Sequence, residues 1–227
     1  MGYLIRRLFP ILALVSFSAA MHAQEVIPPA RTILNLSESE QIVFINKTID
    51  LGFPVNRADQ MTMLIINRSA VALPLIESRL EEALKSTSTP KRFVDTTTEM
   101  IAYAGDEQAL RAVSKLMVVD ENRFGTLVGR TLDNAGNWRN PFTVAYKGLT
   151  LGDEPVSRRI AAWAESALAS TRMQRAWAEA MLDRYASVPD ESAWATDPIA
   201  SRLSDRASPE LRQSVLHFAA DAQTRKK

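Results

Sequence analysis

From position 37 onward, apolar residues recur three, four and seven places apart, the period of a helix that buries one face. Ile42, Ile45 and Ile49 follow Ser37 and Glu40, whose spacing is that of a capping box, and Gly52 and Pro54 stop the helix they start. A second helix is expected from Asn56, carrying Met61, Leu64 and Ile65. A third carries Leu73, Ile76, Leu80, Ala83 and Leu84. Ala109, Leu110, Val113, Leu116 and Met117 fit the period closely. Further stripes run through Val156, Ile160, Trp163, Ala164 and Ala167, through Met173, Trp177, Ala180 and Met181, and through Leu211, Val215, Phe218 and Ala219. Thr89, Asn140, Asp197 and Ser208 each precede a proline, which suits a cap followed by a first-turn proline. Gly105 before Asp106 suits a stop with an immediate restart. No stretch alternates as a strand does. The pattern predicts an all-α chain of about ten helices joined by short turns.

The first residues break this period. Arg6 and Arg7 precede an apolar run over 8–20, and small residues follow up to Ala23, so 1–23 reads as a signal peptide cleaved after Ala23 or, alternatively, after Ala20. The run is shorter than the roughly 20 residues that span a bilayer. An uncleaved leader that anchors the protein to the envelope remains the alternative. Residues 24–36 contain Pro28 and Pro29 without periodicity and are expected to form an extended arm. A single helical domain over 37–222 and a basic tail over 223–227 complete the expected organisation. These features predict a periplasmic or secreted protein with no membrane insertion beyond the leader.

Gly105 and Gly136 lie 31 positions apart, each after an alanine and before Asp106 or Asn137. The segment AYAGDEQALRAVSKL over 102–116 resembles the second-helix start of HEAT repeats, and LPLIESRLEEAL over 73–84 has a similar cast. The resemblance extends over about 57–188. It implies antiparallel helical hairpins stacked as a short α-solenoid, in which each hairpin completes its neighbour's core. An irregular helical bundle is the alternative.

Composition narrows the chemistry. The chain has 46% apolar and 23% charged residues, enough for a core, and 27 basic against 26 acidic side chains, which argues against a polybasic nucleic-acid binder. With no cysteine there can be no disulfide, thiolate metal site or cysteine nucleophile. Once the leader has removed His22, His217 alone remains, too few for a multi-histidine metal site. Neither a metal nor a cofactor is expected. Ser88 and Lys91 have Ser-x-x-Lys spacing, but the companion motifs of that enzyme class are missing. The most informative polar stretch is RTLDNAGNWRNPF over 130–142, read as an exposed turn. Trp138, Arg139, Asn137 and Arg130 within it are the candidate binding residues, because tryptophan and arginine carry binding energy at interfaces. The expected function is that of an exported, non-catalytic protein-binding or scaffold module that engages another protein through a helical groove. An exported hydrolase using scattered carboxylates is the rival.

Overall fold

The computed structural model describes residues 27–86, 88–185, 196–203 and 209–226; the leader, Trp194 and the Ser208 cap lie outside them. Every regular element among the described residues is helical. In chain order these are α1 (Glu38–Asp50), α2 (Ala58–Asn67), α3 (Ser69–Lys85), α4 (Lys91–Tyr103), α5 (Glu107–Val119) and α6 (Glu121–Phe124). They continue with α7 (Thr126–Trp138), α8 (Pro141–Leu149), α9 (Glu154–Ala167), α10 (Thr171–Tyr185), α11 (Pro198–Leu203) and α12 (Pro209–Lys226). None is long and apolar enough to cross a membrane.

The helices begin where side chains can satisfy their first N–H groups. Ser37 and Glu40 form both halves of the capping box of α1, with the Ser37 N–H donating to Glu40 at 2.8 Å. Asp106 accepts from Ala109 N–H at 3.0 Å, Asn140 from Phe142 N–H at 3.0 Å, and Asp153 from Val156 N–H at 3.1 Å. Thr89 does not cap α4. Pro90 stands in the cap position itself, its backbone still extended, and no side chain closes that end. At the other end of α4, Gly105 takes a φ of 59°, and a Cβ there would meet the Ala135 backbone of α7 at 2.7 Å. Glycine is therefore needed both for the turn and for the approach of α7.

The arrangement interleaves two series. α1, α3, α5, α8, α10 and α12 each pack on the next of their series, and so do α2, α4, α7, α9 and α11. The series meet through every consecutive pair from α1 to α5, through α8 with both α7 and α9, and through α5 with α7 and α9. The core follows the stripes: Leu110, Val113, Leu116 and Met117 of α5 are buried, as are Trp177, Ala180 and Met181 of α10. Each large apolar side chain so buried contributes about 1.5–3 kcal/mol relative to exposure.

Several polar links between helices share a similar stride, although Tyr146 to Asp197 spans 51 positions and Arg139 to Ile66 spans 73. Ser69 donates to Asp106, Ser114 to Asp153, Asn134 to Ala102, Asn140 to Ala176, Trp163 to Asp133 and Trp177 to Tyr146, and each of these links spans between 30 and 39 positions.

Four further expectations are corrected. Within 24–36, Ala30–Asn35 is a 3-10 turn rather than part of an extended arm, with Ile33 fully buried and the Gln41 amide donating to the carbonyls of Ile33, Leu34 and Leu36. The stretch 130–142 is helical through Trp138, because Leu127, Val128, Thr131, Leu132 and Ala135 continue one buried stripe; the turn shrinks to Arg139 and Asn140. Gly136 consequently sits inside α7 and has no role in common with Gly105. At the C-terminus, α12 continues through Lys226, so 223–226 are helical rather than a tail.

Candidate functional site

A groove of about 760 Å³ opens where the end of α1, the turn before α2, the end of α3 and the start of α4 converge. Its shape begins with how α1 ends. Gly52 has a φ of 72°, its N–H donates to Ile49 at 2.9 Å, and the Phe53 N–H reaches back to Thr48 at 2.9 Å, which together make a Schellman ending. Phe53 itself has a φ of 57°, a left-handed conformation costing a bulky residue about 1–3 kcal/mol. Strain of this kind persists only where the surroundings hold it. Here the Phe53 ring lies 5.9 Å from that of Phe93 in α4, and both residues are half-buried among the groove's lining. Val55, two residues on, also lines the groove and is 90% exposed.

Charge in the groove is unevenly placed. Arg79 of α3 contacts Asp50 of α1 at 2.9 Å and Glu82 at 3.8 Å, so two carboxylates converge on one guanidinium. Arg92, in the first turn of α4, faces the groove from the other wall. Sequence reasoning used Gly52 and Pro54 only as stop signals and gave Phe53, Phe93, Val55 and Arg92 no role. A phenylalanine wedged between a helix-ending glycine and a proline was the available signal.

The four residues singled out from the sequence do not form one site. Arg130 projects from α7 to ion-pair with Glu99 of α4 and lines a smaller cleft between those helices. Asn137 is exposed near the end of α7. Trp138 is 48% exposed and meets Tyr103 edge-on at 6.2 Å, an aromatic pair at the ends of neighbouring helices. Arg139 turns back into the structure: it donates to Ala104 at 2.7 Å, Gly105 at 3.2 Å and Ile66 at 2.9 Å, supplying donors to carbonyls at the ends of α2 and α4.

A second polar constellation is closed. Trp177 N–H donates to the Tyr146 hydroxyl at 2.6 Å, and that hydroxyl donates to Asp197 at 2.5 Å. Asp197 also accepts from Ile199 and Ala200 N–H, each at 2.9 Å, capping α11. Arg184 lies 5.0 Å over the Tyr146 ring. Burial raises the Asp197 carboxyl above its ordinary value, against the lowering influence of Tyr146, the two amides and Arg184. Burial, and then the neighbouring Asp197, raises the Tyr146 hydroxyl as well. Asp197 is fully buried, so this cluster joins α8, α10 and α11 and presents no reacting group at a surface. His217 is exposed beside Phe218 on α12. Among the described residues, no three His, Asp or Glu side chains gather as a metal site.

No family model, no curated protein and no solved structure matches the chain, so the reading of the groove rests on its own geometry.

Proposed function

We propose that the chain is a non-catalytic protein-binding module, an array of stacked helical hairpins that engages another polypeptide through the groove between Phe53 and Phe93. The observation that carries this reading is the groove itself: it is open, walled by two aromatic rings, edged by an almost fully exposed valine, and shaped by a strained Phe53. The array part of the reading, with its HEAT-like character, is supported by the two interleaved helix series and by polar links of similar span from one hairpin to the next. Export rests on the order of basic flank, apolar run and small-residue exit at the N-terminus. The hydrolase alternative draws no support from Asp50 and Glu82, because both carboxylates are directed at Arg79 rather than held apart across a cleft.

A photo-crosslinking amino acid at position 55, and the same group at the exposed Gln213 on α12, test the reading in the native envelope or culture medium. A discrete adduct from position 55, absent from position 213 and lost on Phe93→Ala with helicity retained, is the expected result. Equal adducts from both positions would refute the groove assignment.

A further inference from the structure

We propose that the groove takes a segment of a partner polypeptide in which a single acidic side chain stands beside an aromatic or branched apolar one. This rests on the groove being the binding site and names what fits it. The apolar requirement comes from Phe53 and Phe93, whose half-buried rings leave a face open to the groove, and from Val55 at its edge. Covering these surfaces removes apolar area from water, which an uncharged side chain of matching size accomplishes.

The charge requirement comes from the two walls. On the α1 and α3 side, Asp50 and Glu82 share Arg79, so that wall has one more negative than positive charge. On the α4 side, Lys91 and Arg92 occupy the first helical turn, which contains no acid and has no side-chain cap. Among the described residues neither cation has an ion-pair partner. The positive end of the helix adds to their field instead of offsetting it. A carboxylate entering the groove is therefore drawn to Arg92 and repelled from Asp50 and Glu82. One acidic residue satisfies both walls. A run of them would set a second carboxylate against the acidic wall, where like charges oppose binding.

Random dodecapeptides displayed with both ends joined to a carrier, selected on the full chain, provide the test. The expected enrichment pairs one Asp or Glu with an aromatic, Leu or Ile at a fixed spacing and does not favour acidic runs. Binding of those peptides should weaken with added salt and fall roughly tenfold or more on Arg92→Glu, an exposed change that leaves the helical signal intact. Peptides without an acidic bias, bound equally by Arg92→Glu and lost on Phe93→Ala, would overturn the proposed partner chemistry while leaving the groove as the binding site. Peptides that bind only with a free C-terminus would assign the carboxylate to a chain end and also overturn it. Selected peptides indifferent to both substitutions would refute the groove reading as well.

Discussion

At Asp197, burial and hydrogen bonding pull in opposite directions. Burial favours the neutral carboxyl, whereas the Tyr146 hydroxyl and two backbone amides are arranged around a charged acceptor, and burial prevails in the direction of the shift. A carboxyl whose value is raised on folding contributes stability that is complete below its unfolded value of about 4 and is lost as pH rises through the folded value. Asp197→Asn removes this dependence. It also places an amide donor against the Tyr146 hydroxyl, which then accepts from two sides and loses its own acceptor, a pH-independent cost of about 1–3 kcal/mol. Urea unfolding should show the variant less stable than the wild type at pH near 4, with the gap narrowing toward neutrality. A gap that widens with pH would mean that the fold favours the carboxylate after all.

Among the elements, the end of α7 shows how a side chain can serve a helix it does not belong to. Arg139 stands just beyond α7, yet its guanidinium satisfies carbonyls at Ile66, Ala104 and Gly105, which the chain leaves without helical partners. Arg139→Ala should cost about 2 kcal/mol of unfolding free energy, and Arg139→Lys should recover little, because a single ammonium nitrogen cannot take the places of the two guanidinium nitrogens that reach Ala104 and Gly105 on one side and Ile66 on the other. Trp138→Ala should cost less than the roughly 3–5 kcal/mol of a core tryptophan, since nearly half of its surface is already in water. A loss of core-tryptophan size on Trp138→Ala, or near-complete recovery by Arg139→Lys, in thermal or urea melts would contradict this assignment. None of Arg139's role was legible in the sequence, because its acceptors lie 34 to 73 positions away and nothing local marks them. Most of the buried face of α5 was legible, since a stripe and the Asp106 cap are local signals, although Ala112, also buried, lies outside the expected stripe. The 3-10 turn at Ala30–Asn35 was not, since one buried isoleucine makes no period and its carbonyls are satisfied by Gln41 from the next helix. The groove stayed hidden for a related reason: Phe53 and Phe93 are forty positions apart, and the left-handed turn that brings them together is written in Gly52, which looks like any helix stop.

For the molecule as a whole, the polar links between helices imply, on the proposed stacked array, that stability is transmitted between neighbours rather than shared evenly. Trp177→Phe, which keeps the ring but deletes its hydrogen bond to Tyr146, should speed hydrogen exchange in α8, α10 and α11 while leaving α2 and α4 unchanged. A uniform loss of protection across all helices would favour an irregular bundle that opens as one unit. The same links bear on how freely the sequence can drift. Ser37 and Asp120 cap only the helices they begin, so any short polar acceptor can replace them. Asp106, Asn140, Asp153 and Asp197 cap their own helices while also bonding to another helix through Ser69, Ala176, Ser114 and Tyr146. A replacement there has to meet a local and a distant geometry at once. In a saturation library these four positions should therefore accept almost nothing, while Ser37 and Asp120 vary freely among cap formers.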